Sequence, residues 1–286
     1  MKYYSKLIIL LTIILTIIGD FGYVKANTVK TENTENTVKT DKKVETELEK
    51  VFTADGLAHL AGKSITAVEN SLGVKFKVKP EIKIVTVDEL IDLRKKLSIQ
   101  RYSKQYPDIS KPTIEAMAED FSKRIASWLM AEYQPETHTV YLVKDRIFEM
   151  LEKSNYISFV KPRIVQMLLI HEFIHAMDEE NYEAITQYFL FKTSGERNVY
   201  RAVMEGHAQF LTKQIMNDLG DWNLFNDWDQ SASKPESSQY FPYHQGLLFF
   251  SALSKHGEKY FGDRIFRNPP TTEEEIIFPD KYLSSN

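Results

Sequence analysis

The chain of 286 residues contains no cysteine. That excludes disulfides, lipid attachment through a lipobox cysteine and any thiolate ligand for a metal. An exported protein without cysteine suits a bacterial source better than an animal secretory pathway. A long apolar run is missing too. The stretch from Leu7 to Ile18 spans twelve residues, short of the about 20 that a comfortable membrane span needs. Positive charge is not in excess: the formal net charge is -4, which argues against nucleic acid or an anionic membrane as a partner.

The short apolar stretch has its own meaning. Lys2 and Lys6 precede it, Gly19-Asp20 breaks it, and Val24-Lys25-Ala26 places small residues as a signal peptidase requires, so residues 1–26 read as a secretory signal. The alternative is an uncleaved N-terminal anchor. Removing the segment takes away Lys2, Lys6, Lys25 and Asp20 and leaves a net charge of -6. Residues 27–50 are rich in Thr, Asn, Glu and Lys and nearly free of large apolar side chains. Such a segment buries too little surface to offset its ordering entropy, so it reads as a disordered polar linker. The folded domain is expected over residues 51–286. With 43% hydrophobic residues, it can bury a substantial core. The expected location is secreted or periplasmic, without stable membrane insertion after signal cleavage.

The most informative residues are His171-Glu172-Phe173-Ile174-His175. On a helix, imidazoles at i and i+4 share one face, one turn apart, where they can grip a single ion. Glu172 lies about 100° further round, within reach of a water on that ion. This is the HExxH arrangement of zinc-dependent peptidases. The preceding residues, Pro162 to Ile170, are almost wholly apolar and are entered through a proline, which suits a first helical turn. A helix so apolar is buried, and polar groups inside it need partners. Zinc is one such partner; the other reading is a pair of core histidines bonded to backbone carbonyls.

Apolar periodicity sketches the remaining elements. A helix is expected over 51–72, ending at Gly73, and a strand interrupted by Pro80 over 74–86. Helices follow over 87–97, with Thr86 or Asp88 at its start, and over 111–128. Residues 133–137 read as a turn and 138–143 as a strand, on an edge where extended substrate could add. His138 on that strand and His59 further upstream read as ordinary histidines. Helices are expected from Lys144 to about Lys153 and from Pro162 through the motif.

A catalytic zinc usually has three protein ligands and an open position. The segment Tyr200 to Leu211 reads as helix and offers Glu205 and His207. The two lie about 200° apart around a helix, so both cannot face one ion. Glu205 is the preferred ligand and His207 its rival. Gly206 costs about 1 kcal/mol relative to alanine inside a helix, which calls for close packing, for instance against the motif helix.

HEFIHAMDEE followed by AVMEGHAQF resembles the glutamate zincins, or gluzincins, in which a second helix carries the third ligand. The resemblance implies one Zn2+ held by His171, His175 and Glu205, with Glu172 as general base. It also implies an α+β, zincin-like fold: a small mixed sheet packed on two active-site helices, with a mostly helical C-terminal part. Two departures stand out. Gln209 occupies the place where thermolysin-like members carry an aspartate that orients a histidine ligand, a role Asp178 is a candidate to fill. His207 stands where related sequences often have an acidic or small residue. Downstream, Tyr240 to Phe250 leads into a helix to about Lys255, with a Tyr-x-x-Gly-x-x-Phe pattern similar to one in several gluzincins. Tyr243 or His244 is the candidate donor to an oxyanion; otherwise these rings fill core space. Residues 269–282, bracketed by prolines, read as extended at both ends, either beside the cleft or as a surface tail.

Together these readings lead to an exported zinc metallopeptidase acting on a peptide or protein substrate. The alternative is a catalytically silent, zinc-containing binding protein on the same scaffold.

Overall fold

The computed structural model describes residues 48–153, 162–235, 237, 239–256 and 262–285. The expected signal segment and most of the linker lie outside them. The described residues fall into two compact units that divide between Ala176 and Met177. The fold is α+β, mostly helical with one small mixed sheet. Among the described residues no helix is long and apolar enough to cross a membrane.

The first unit opens with α1 (Ala54–Leu72), started by Thr53, whose hydroxyl accepts the Gly56 N–H at 3.2 Å. It stops at Gly73, which adopts φ 70° and donates its N–H to the Glu69 carbonyl at 2.9 Å. A left-handed residue there favours glycine, as the sequence suggests. The strand expected over 74–86 is shorter, β1 (Glu81–Val85). Upstream of it the Phe76 N–H bonds the Glu69 carboxylate at 3.2 Å instead of a neighbouring strand, and Pro80 has no N–H to give.

Thr86 and Glu89 form a reciprocal capping box at the start of α2 (Val87–Gln105). This helix runs eight residues past its expected end at Leu97. Its polar second half is held by partners far along the chain: Arg101 donates to the Glu136 carboxylate at 2.7 Å and to Gln134 at 3.1 Å. Arg94 also pairs with Glu132. Helix α3 (Lys111–Ala126) packs on α2 with Ile114, Ala118 and Ile125 buried at helical spacing.

Strand β2 (Ala131–Gln134) is absent from the sequence reading, which has a turn beginning at Tyr133. Its Ala-Glu-Tyr-Gln alternates apolar and polar, but over the shortest length that signals a strand and directly before the turn residue Pro135. A turn follows in which His138 takes φ 49° and its N–H reaches the Pro135 carbonyl at 3.2 Å. His138 is therefore a turn residue; its Nδ1 meets the Tyr133 hydroxyl at 2.9 Å and its Nε2 meets the Val78 carbonyl at 2.8 Å. Strand β3 (Thr139–Val143) lies in the middle of the sheet, order β1-β3-β2, parallel to β1 and antiparallel to β2. It is buried at every position. The edge assignment for this strand is thus corrected: both its backbone sides are paired, so no substrate can add to it.

Helix α4 (Lys144–Lys153) follows directly, and the motif lies on α5 (Arg163–Tyr182), just after Pro162. Ile164, Val165, Leu169, Ile170, Phe173 and Ile174 of α5 are buried. Phe173 meets Phe76 edge-on with ring centroids 6.2 Å apart. Phe76 is thereby held twice, its N–H by Glu69 and its ring by Phe173 of the motif helix.

The second unit is helical. A short α6 (Ala184–Tyr188) leads to α7 (Ser194–Asp218), which begins with a capping box of Thr193 and Glu196. After α8 (Trp222–Ala232) the backbone widens into a π-helical turn, Tyr240–Gln245, and tightens into α9 (Gly246–Leu253). Two glycines meet where α7 and α9 cross: a Cβ on Gly206 would stand 2.5 Å from the backbone of Gly246. The close packing that Gly206 requires is met against Gly246 of α9.

Residues 262–285 form α10 (Gly262–Arg267), α11 (Glu273–Ile277) and α12 (Pro279–Ser285). The extended reading of 269–282 is corrected here. Thr272 and Glu275 close a capping box, and Pro279 opens a helix rather than ending one. Tyr282 is fully buried against Phe249, and its hydroxyl donates to the Asn268 carbonyl at 2.9 Å. Ile276 and Tyr282 anchor this segment in the core, while most of its other residues, Ile277 and Phe278 among them, are exposed.

Candidate metal centre

Helix α5 delivers His171 and His175 one turn apart, and their Nε2 atoms approach to 3.1 Å with the rings edge to face. The four-residue spacing produces that meeting. His175 is buried and His171 partly so. One ligand atom from each of His171, His175 and Glu205 lies within 4.8 Å of the others. Two imidazole nitrogens and a carboxylate oxygen are a donor set suited to zinc. Two nitrogens on one tetrahedral zinc stand about 3.3 Å apart, close to the separation of the histidine pair.

Glu172 points elsewhere on the helix, as the 100° step requires. It is buried, and its Oε2 accepts the backbone N–H of Tyr133 at 2.7 Å. Strand β2 thus fixes the orientation of the carboxylate, a contact the sequence could not signal because β2 itself was illegible.

His207 is turned away from Glu205 by the helical step and is occupied. Its Nδ1 stands 2.8 Å from the Asp178 carboxylate, and both residues are buried. The ring lies between Phe250 and Phe266, with centroids at 5.2 and 5.4 Å. Asp178 therefore holds His207. The nearby Tyr200 hydroxyl is buried, and its pKa is pushed well up by burial, with further help from Asp178 and Glu179.

The two aromatic candidates diverge. His244 directs Nδ1 to Asp229 at 3.2 Å and stacks on Tyr240 with centroids 5.5 Å apart. Tyr243 instead lies under the Arg201 guanidinium, 5.7 Å from its ring centroid. Arg201 in turn stands 3.7 Å from the Glu205 carboxylate, one turn along α7. Sequence reasoning passed over Arg201, although its i−4 spacing from Glu205 was a visible signal. Gln209, one turn beyond Glu205, is buried, and its Nε2 has no hydrogen-bond partner among the described residues.

No family model matches the sequence, and no curated protein matches it. The chain is similar in fold to a crystal structure described as "a putative hydrolase with a novel fold" from Chloroflexus aurantiacus. The TM-score is 0.54 at 15% sequence identity, over 89% of this chain and 98% of that one. At that identity the likeness is one of fold.

Proposed function

We propose that the chain is an exported zinc-dependent peptidase of gluzincin type. The observation that carries the proposal is the convergence of His171, His175 and Glu205, with Glu172 directly following the first ligand. The reaction class agrees with the word hydrolase in the description of the Chloroflexus protein. A carboxylate in the base position directly after the first ligand favours the enzyme over the silent binding protein.

In this reading His171 and His175 donate through Nε2 and Glu205 through a carboxylate oxygen. Zinc, when bound, supplies a Lewis acid and brings the pKa of its water toward neutrality. Glu172 takes the water's proton as the peptide carbonyl is attacked and returns it to the leaving amine. The Tyr133 N–H holds Oε2 of that carboxylate, so the side chain arrives already oriented. Tyr243, beside Arg201, and His244, whose Nδ1 is held by Asp229 and whose Nε2 is left to donate, are the two candidate oxyanion donors.

Glu172→Gln tests the assignment. It preserves the shape and the Tyr133 contact but cannot accept a proton. Zinc content should stay at the wild-type level while cleavage of an unfolded protein falls by about 10²–10⁴-fold. Undiminished cleavage would remove Glu172 from its role.

A further inference from the structure

Among the described residues, Arg201 hydrogen-bonds Tyr243 but has no carboxylate within hydrogen-bond length. Its side chain is 19% exposed, and among the described residues the carboxylate paired with it, Glu205, stands at 3.7 Å, beyond hydrogen-bond length. The Tyr243 ring covers one side of the guanidinium. An arginine side chain stays protonated in proteins, so the group keeps its charge. A guanidinium offers five donors in a planar fork matched to a carboxylate. A metal drawing on Glu205 would leave Arg201 with still less compensating charge.

We propose that Arg201 is the substrate-anion receptor of this site, taking a carboxylate group of the peptide into the fork beside Tyr243. This rests on the peptidase reading and narrows its substrate class to carboxylate-bearing peptides. The carboxylate has two possible sources: a free C-terminus, which would make the enzyme act near chain ends, or an Asp or Glu side chain beside the scissile bond. Arg201 is a specificity-determining residue here. It fixes the substrate while His171, His175, Glu205 and Glu172 supply the chemistry.

The test is calorimetric binding to the zinc-loaded Glu172→Gln chain, which removes turnover from the readout. The probes are N-acetyl-trialanine as the free acid, the same peptide as its C-terminal amide, and N-acetyl-Ala-Glu-Ala amide. The free acid, the glutamate-bearing amide or both should bind more tightly than the neutral amide, and which one does so identifies the source. Adding Arg201→Gln should weaken the anionic probe by about 10- to 100-fold and leave the neutral amide unchanged. Arg201→Lys, which keeps the charge and loses the fork, should retain part of the preference. Equal binding of anionic and neutral probes to the Arg201 chain, including failure of both to bind, overturns the proposal, as does an equal loss for both in Arg201→Gln. Zinc is assayed on the same preparations, so failure of the metal reading is seen separately from failure of the anion preference.

Discussion

Asp178 and His207 form a buried pair 2.8 Å apart, joining the end of the motif helix α5 to α7. With Nδ1 on Asp178 and its ring packed against Phe250 and Phe266, His207 lies outside the cluster of His171, His175 and Glu205. A buried polar contact of this kind is costly to leave half made, so it favours one arrangement of the two helices over others.

His207→Ala should therefore destabilise the fold strongly, by about 3–5 kcal/mol, because Asp178 is left buried without its partner. The metal content of the fraction that folds should not change. Chemical denaturation with zinc analysis of the native protein reads both quantities.

The crossing of α7 and α9 makes a second prediction. Gly206→Ala puts a methyl group into the backbone of Gly246, where no side chain can rotate away. The cost should be about 1–3 kcal/mol or more. Gly62→Ala serves as the opposite control. That glycine lies inside α1, exposed, with nothing within 4 Å of the added Cβ. It should stabilise by about 1 kcal/mol through helix propensity. Paired thermal melts decide both.

Glu69 predicts a pH dependence. Its carboxyl pKa is lowered from 4.5, first by the hydrogen bond from Lys75. A group depressed in the folded state stabilises above its unfolded pKa, and that contribution disappears as pH falls through the folded value. Glu69→Gln should thus lower the melting temperature at pH 7, with the gap to wild type narrowing toward pH 3. A gap that widens in acid would contradict the sign. Because Glu69 anchors Phe76 against Phe173, the substitution should also loosen the segment beside the motif helix.

These cases show which parts of the molecule could be read from the chain. Helix α5, the Gly73 cap and the approach of His171 to His175 follow from local spacing, and each is where the sequence puts it. Strand β2 was invisible because its four residues owe their burial to neighbours distant in sequence. The segment over 269–282 was misread because prolines were taken as breaks, whereas Pro279 opens a helix and Tyr282 is core. The Asp178–His207 and Arg201–Tyr243 contacts join residues 29 and 42 positions apart, so no local pattern announces them.

The central claim is that three residues form one metal centre, and zinc stoichiometry tests it most directly. Purified chain, dialysed against zinc and then against metal-free buffer, should hold one zinc per molecule. Glu205→Ala should lose most of it while keeping its fold, and His207→Ala should not. A wild-type chain that retains no zinc, or a Glu205→Ala chain that retains it fully, would contradict the account.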